Sequence, residues 1–217
     1  NKKIVEILDS LSDINIKQFG THSFVLSGES IDQSTETTAV YTCDENFLKN
    51  LKSQKFENFT ILVTDFKQKE MLRQSFKKQE ILTISEIKGL ERDTVLLYNI
   101  LTDNSDKLKK LEEFNINHKQ ADENSVYRYY FNLFYVGVSR AKHNIFVFEK
   151  EKISTFADFF EENFESLTGA ETYKKFSDIV SKIEIDDDEI FERINEFIKL
   201  GQFENARFYA NKFEDDY

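Results

Sequence analysis

The residues in this chain best suited to phosphate chemistry are Arg140 and the short segment 88–91, Lys-Gly-Leu-Glu. Apolar residues at steps of three and four from Tyr127 predict a helix that extends through Arg140 to Lys142. The apolar run 145–148 then predicts a buried strand. An arginine between two packed elements presents a fixed, permanently charged fork that matches phosphate oxygens. A simpler interpretation also fits, because a cation at a helix C-terminus complements the helix dipole.

Segment 88–91 lies between two runs, residues 81–84 and 95–98, whose apolar and β-branched residues predict strands. Gly89 can adopt backbone conformations closed to other residues, which lets a ligand approach the main chain. Glu91 can accept hydrogen bonds from a sugar hydroxyl. Taken singly, the segment is also compatible with an ordinary turn.

Together, the stretches TISEIKGLERDTVLL and LFYVGVSRAKHNIFVF resemble motifs V and VI of superfamily 1 helicases of the UvrD/Rep type. Order, strand context and residue types agree over residues 81–149, the agreement is looser over 4–76, and it ends near Glu151. The resemblance implies the second RecA-like motor domain, an α/β fold with a parallel sheet flanked by helices. The short connection from Phe76 to Ile81 implies the compact branch that lacks the large inserted subdomain.

The resemblance assigns roles position by position. Arg140 matches the motif VI arginine that contacts the γ-phosphate of ATP, which implies a catalytic role. Glu91 matches the motif V carboxylate that holds the ribose, and Gly89 matches the glycine beside it. Thr83 matches a residue near single-stranded nucleic acid. Ser85 departs from the family, because many relatives carry a histidine there that faces the strand.

The implied function is that of the C-terminal motor half of an ATP-dependent helicase. Its ATP, with Mg²⁺, would lie between this domain and a first RecA-like domain, which supplies the phosphate-binding loop and the magnesium ligands. The chain contains no Gly-x-x-x-x-Gly-Lys-Ser/Thr loop and opens at Asn1, just past the expected motif IV. We therefore expect a longer protein, a fragment inactive by itself, and single-stranded nucleic acid, expected to be DNA, as a partner.

A second hypothesis is a catalytically inactive helicase-like module that binds another protein. Ser85, the acidic composition and Glu70, which stands where relatives carry an arginine, favour this hypothesis. The joint presence of Gly89, Glu91 and Arg140 favours the motor, because a fold without catalysis has no physical need for all three. A third reading, an unrelated nucleotide-binding domain, would require its own phosphate loop.

Composition limits the alternatives. The 217 residues include 22 Phe and are 40% hydrophobic, which is enough for a packed core. No apolar run predicts a membrane span or a signal peptide, and the single Cys43 predicts a reducing cytoplasm. The net charge of −11 argues against a free-standing nucleic-acid binder, but not against half of a helicase. The three histidines are scattered, so we expect no metal site in this chain.

The sequence predicts two domains, residues 1–150 and a helical extension at 151–217. Two apolar stripes with helical spacing lie in the extension. They consist of Phe156, Phe159, Phe160, Phe164 and Leu167, and of Phe191, Ile194, Phe197 and Ile198. Gly201 interrupts the second pattern, and the following Gln-Phe-Glu-Asn-Ala-Arg resembles the turn and second helix of a tetratricopeptide-like hairpin. A single hairpin cannot bury its own apolar face, so we expect either that it packs on the α/β domain or that more repeats follow in the full protein. The helical tail is also a candidate site for a protein partner.

The remaining pattern predicts alternating strands and helices, as in a parallel α/β sheet. Asp44 is the predicted N-cap of a helix through residue 51. The sequence also predicts strands at residues 24–26, 39–41 and 59–63 and helices at 3–11 and from 64 through 76. A polar helix predicted at 101–120 is either a small lid or a connector.

Overall fold

A computed structural model describes residues 1–19, 37–53, 56, 58–106, 108, 121–183 and 185–215. The chain forms two compact units, Asn1–Val180 and Ser181–Tyr217. The boundary expected between residues 150 and 151 therefore lies inside the first unit. No helix in the described ranges combines the length and apolarity needed to cross a bilayer.

Six strands of the described chain form one parallel sheet within the first unit. They are β1 (Thr38–Thr42), β2 (Thr60–Val63), β3 (Glu80–Thr83), β4 (Arg92–Tyr98), β5 (Ala141–Phe148) and β6 (Glu165–Ser166). Their spatial order is β3-β2-β4-β5-β1-β6, and each of these strands runs parallel to its neighbours. This confirms the predicted α/β class. The strand expected at residues 24–26 lies outside the described residues.

Continuous apolar runs occupy the middle of the sheet, as expected for parallel strands covered on both faces. Ile61 of β2 pairs with Ile81 of β3 and with Leu96 of β4, and Leu96 pairs with Phe146 of β5. All four side chains are at most 3% exposed. These apolar runs are the pattern from which the strands were predicted, and the predicted strands are confirmed within one to four residues at their starts.

Helices cover the sheet on both faces. The first unit contains α1 (Lys2–Phe19), α2 (Glu45–Lys52), α3 (Phe66–Arg73), α4 (Ala121–Val138), α5 (Ala157–Asn163) and α6 (Gly169–Val180), with 3-10 turns at Thr102–Asn104 and Ser154–Phe156. Asp44 caps α2 as predicted, because its Oδ1 accepts a hydrogen bond from Asn46 N at 2.9 Å. Its Oδ2 accepts a second bond from Gly169 N at 2.8 Å, which joins the starts of α2 and α6. Most of the helix predicted at 101–120 lies outside the described residues.

Phenylalanines from the segment after β5 fill both faces of the sheet. Phe176 of α6 contacts the rings of Phe59 and Phe146, with centroid distances of 4.8 and 4.9 Å. On the other face, Phe160 of α5 stacks on Tyr41 of β1 at 3.9 Å. Burying one such ring contributes about 1.5–3 kcal/mol. Residues 151–180 are therefore part of the first unit, and the sequence placed them in the extension because helical spacing does not reveal the packing partner.

The second unit is a helical hairpin of α7 (Asp187–Lys199) and α8 (Phe203–Asp215). Asp186 caps α7 by accepting a hydrogen bond from Glu189 N at 2.8 Å. Gly201 ends the helix with a φ of +70°, and Gln202 N donates to Phe197 O at 2.8 Å. This is a Schellman motif, in which glycine relieves the steric cost of the left-handed backbone. The helical segments expected at the C-terminus are confirmed.

The packed side of this hairpin differs from the predicted stripe. Phe197 is fully buried and stacks on Tyr209 at 6.0 Å, while Arg193 donates a hydrogen bond to the Tyr209 hydroxyl at 2.8 Å. Phe191 and Ile198 of the same stripe are 61% and 49% exposed. The hairpin therefore buries only part of the predicted stripe, together with Arg193, which is 8% exposed.

Candidate functional site

Arg140 lies in the turn that joins α4 to β5. The helix ends at Val138, earlier than the predicted extension to Lys142. Arg140 N donates to Gly137 O at 3.2 Å, which closes the last turn. The next residue, Ala141, already pairs with Arg92 of β4. The helix ends here because Ala141 is the first residue of β5 and its backbone pairs with β4.

The Arg140 side chain is half-buried and held by three neighbours. Its Nε and Nη2 contact Ser139 Oγ at 3.2 and 2.9 Å, and Nε also approaches Val136 O at 3.3 Å. Nη1 donates to Leu90 O at 3.2 Å. Among the described residues each terminal nitrogen makes one hydrogen bond, so each retains a second N–H group for an anionic ligand.

The Leu90 carbonyl belongs to the bend that leads into β4. Gly89 in this bend has a φ of +89°, and a Cβ placed on it would meet no atom within 4 Å. Gly89 and Glu91 are both exposed, whereas Leu90 is 7% exposed. Because β4 and β5 are parallel neighbours, their amino ends meet at one edge of the sheet. The structure therefore brings Gly89, Glu91 and Arg140 to the same place.

A buried ion pair between Arg92 and Glu80 lies next to this bend. Arg92 Nε and Nη2 contact the two Glu80 carboxylate oxygens at 2.9 and 3.0 Å, and both residues are less than 5% exposed. Thr60 donates its hydroxyl proton to the same carboxylate. Arg92 Nη1 also donates to Glu91 O at 2.9 Å, which fixes the main chain beside Arg140. Sequence analysis missed this pair because it confined the strand to the apolar residues 95–98.

Thr83 and Ser85 lie at the opposite edge, after the carboxyl end of β3. Thr83 N donates to Glu86 Oε2 at 2.8 Å and Thr83 Oγ1 accepts from Glu86 N at 3.2 Å, which is a capping box. Thr83 is 7% exposed, whereas Ser85 is exposed. The seven residues of β4 span about 20 Å between the two edges. The structure therefore does not bring Thr83 and Ser85 together with Arg140.

A buried lysine anchors Glu86 to α3. Lys69 is 1% exposed, and its Nζ lies 2.6 Å from Glu86 Oε1. Burial lowers the pKa of Lys69, and the Glu86 carboxylate opposes that shift. The polar residue type gave no signal that it would be buried.

The connection between Thr83 and β4, residues 84–91, is packed into the core. Ile84, Ile87 and Leu90 are 3%, 0% and 7% exposed. A Cβ on Gly137 of α4 would lie 3.1 Å from Ile84 Cδ1, so this glycine lets α4 pack closely against the connection. The connection returns the chain from the carboxyl edge to the amino edge in eight residues, 84–91.

Within the described ranges, no group of three His, Cys, Asp or Glu side chains is arranged to hold a metal ion. His143 Nδ1 lies 3.2 Å from Asp93 Oδ1, and both side chains are partly exposed. This pair joins β5 to β4 near their amino ends, where sequence analysis assigned His143 no role.

Comparison with known proteins gives limited information. No family model matches the chain, and no curated protein matches it. Among solved structures, the chain is similar to the C-terminal domain of a possible DNA helicase from Lactobacillus plantarum WCFS1. The two share 12% sequence identity with a TM-score of 0.43, over 72% of this chain and 94% of that one. At these values the similarity assigns no function to the chain.

Proposed function

We propose that this chain is the second motor domain of an ATP-dependent superfamily 1 helicase. The observation that carries the proposal is the hydrogen bond from Arg140 Nη1 to Leu90 O at 3.2 Å. It joins two segments fifty positions apart in sequence, each of which carries one of the family-like motifs. The two segments meet because β4 and β5, which begin after them, are parallel neighbours, and this places both motif-like segments where one nucleotide could contact them together.

In this proposal Arg140 stabilises the transition state for ATP hydrolysis. The attacking water approaches the γ-phosphorus as the bond to the β,γ-bridging oxygen breaks, and negative charge spreads over the phosphoryl oxygens. The second N–H groups on Nη1 and Nη2 would donate to those oxygens. Glu91 would accept a hydrogen bond from the ribose, and Gly89 would let the nucleotide approach the bend without a side chain in the way.

The chain supplies only one wall of this ATP site. The phosphate-binding loop and the ligands of Mg²⁺ would come from a first RecA-like domain, and the metal would supply positive charge to the phosphates. The residues proposed to contact single-stranded DNA, Thr83 and Ser85, lie at the other edge of the sheet. The exposed Ser85 is the better candidate for direct contact, because the Thr83 hydroxyl already accepts the Glu86 N–H.

The test is Arg140→Ala in a protein that contains both motor domains. We expect a loss of DNA-stimulated ATP hydrolysis of about 10³-fold or more in kcat, in the range of other arginine fingers. Arg140→Lys should restore little, because an ammonium cannot reproduce the fork. Lys142→Ala is the matched control, since Lys142 is exposed and two positions away. A loss below about tenfold for Arg140→Ala would show that this residue is no arginine finger.

The 217-residue chain alone should neither hydrolyse ATP nor bind it tightly, because it lacks the phosphate-binding loop. Turnover by the purified chain that disappears in Arg140→Ala would contradict this part of the proposal. Absence of turnover in the chain alone, with turnover in the two-domain protein, is the expected result.

A catalytically inactive interaction module is the second candidate. Large apolar side chains on the second unit favour it: Phe191, Ile198, Leu200 and Phe203 are 46–68% exposed. Exposed apolar side chains in such numbers mark surfaces that contact other proteins. If the two-domain protein hydrolyses no ATP with any nucleic acid, this candidate replaces the motor. The binding of a protein partner by the helical tail stays a prediction.

A further inference from the structure

A cavity of about 350 Å³ opens at the carboxyl ends of β4 and β5, between α2 and α3. Tyr98, Asn99 and Lys150 line it from the strand ends. The chain leaves β2 toward β3 on one side and leaves β4 toward β5 on the other, so the strand order reverses between β2 and β4. Ligands of open α/β sheets bind outside the carboxyl ends of the strands at such switch points. The cavity is at the opposite end of the strands from Arg140.

Gln68 of α3 places a carboxamide in the wall of this cavity. The side chain is 7% exposed, and its Oε1 accepts hydrogen bonds from Thr64 N and Thr64 Oγ1, both at 3.1 Å. A backbone N–H can only donate, so the contact with Thr64 N fixes the amide orientation. The Gln68 amino group then has no hydrogen-bond partner in the described part of the chain. Because Gln68 lines the cavity, this amino group can donate to a ligand bound there.

Asn99 repeats the arrangement from the end of β4. It is 6% exposed and has a φ of +51°, and its Oδ1 accepts a hydrogen bond from Lys150 N at 2.8 Å. That backbone donor fixes the carbonyl side of the amide, as at Gln68. Within the described ranges the Asn99 amino group has no partner either. Two fixed carboxamides therefore line one cavity, and neither amino group is paired with a residue that the structure describes.

The charges around the cavity differ from those of the whole chain. Lys49, Lys52 and Lys150 line it together with two carboxylates, Glu45 and Asp103. The whole chain has a net charge of −11, so three lysines around one cavity are a local excess of positive charge. Lysine ammonium groups and amide N–H groups are both donors to phosphate oxygens.

We propose that this cavity binds a phosphate monoester of nucleotide size. The Gln68 and Asn99 amino groups and the lysines would donate to the phosphate oxygens. The carboxylates of Glu45 and Asp103 would accept hydrogen bonds from the sugar hydroxyls. The volume is at the lower end of the range of about 300–1,000 Å³ typical of small-ligand sites. This site is separate from the proposed ATP contact and does not depend on it.

Isothermal titration calorimetry of the 217-residue chain with ribose 5-phosphate and with AMP tests the proposal. We expect both to bind saturably in the millimolar range or tighter, and ribose without phosphate not to bind. Asn99→Asp and Gln68→Glu keep the accepting oxygen and replace each amino donor with a carboxylate oxygen. Each should weaken binding about tenfold or more, since a charge-assisted donor becomes a repelling acceptor.

Gln74→Glu is the matched control, because it adds the same charge to an exposed position just after α3, outside the cavity. Circular dichroism establishes that each variant folds. If Asn99→Asp does not fold, the double variant Lys49→Gln/Lys150→Gln takes its place. No saturable binding of either phosphate, or equal binding by Asn99→Asp, Gln68→Glu and Gln74→Glu, would overturn the proposal. So would binding of a short thymidine oligonucleotide in place of both monoesters, because the occupant would then be a nucleic-acid backbone.

Discussion

Glu149 follows β5 directly and is completely excluded from solvent. Its carboxylate accepts hydrogen bonds from Leu101 N at 3.0 Å and Thr102 N at 2.7 Å. Burial disfavours the charged form, and this effect outweighs the two donors and raises the pKa of Glu149 from its ordinary 4.5 to about 7. Asp103 adds a smaller contribution in the same direction.

The sign of the stability effect follows from the proton count. Between about pH 4.5 and about pH 7 the folded protein keeps the Glu149 proton while the unfolded chain has lost it. The unfolded state therefore binds fewer protons in this window, and the free energy of unfolding falls as the pH rises. A pKa raised from 4.5 to about 7 in a fully buried group corresponds to about 3 kcal/mol across the whole window.

Glu149→Gln removes this titration and keeps the side-chain shape. The assay is urea unfolding of both proteins at the acidic and neutral ends of the window, followed by circular dichroism. The stability of wild type relative to Glu149→Gln should fall by about 3 kcal/mol between the two ends. Glu151→Gln is the control, because it removes the same charge from an exposed side chain two positions away.

The reasoning would be refuted if wild type and Glu149→Gln differed in free energy of unfolding by the same amount at acidic and at neutral pH. A difference that moved in favour of wild type with rising pH would mean that the Leu101 and Thr102 donors outweigh burial. Either result would place the Glu149 pKa at or below its ordinary value.

Two other substitutions test the packing around the proposed sites by urea unfolding. Arg92→Leu leaves the Glu80 carboxylate buried without its partner and should cost about 3–5 kcal/mol, whereas Arg73→Leu breaks an exposed pair and should cost less than about 1 kcal/mol. An equal effect of the two would contradict the buried-pair argument. Gly169→Ala places a Cβ 2.7 Å from Phe47 N and should cost about 1–3 kcal/mol, and a neutral or stabilising result would contradict the close packing of α2 and α6.

The sequence predicted the sheet and the position of the candidate site because both depend on local signals. Apolar runs mark strands that are buried on both faces, and Asp44 marks the start of α2 through its own side chain. Arg140 lies beside the bend at residues 88–91 because β4 and β5, which follow these two segments, are parallel neighbours in the sheet. The family resemblance implied that β4 and β5 are neighbours, whereas the spacing of apolar residues does not show which strands pair.

The remaining features depend on contacts that a one-dimensional pattern does not encode. Phe156 and Phe160 have the spacing of a helix face, and nothing in that spacing distinguishes packing on the sheet from packing within an extension. Lys69, Gln68 and Asn99 are polar types usually found at the surface, and only the three-dimensional arrangement shows that they are buried. Gln68 and Asn99 are two of the residues from which the further binding site is inferred.

The packed connection at residues 84–91 links the two proposed contact regions. Its three apolar side chains lie in the core, and the Glu86–Lys69 ion pair joins it to α3. The exposed Ser85 and Gly89 lie near its two ends. One short, packed segment of the chain therefore connects the edge proposed to contact DNA with the edge proposed to contact ATP.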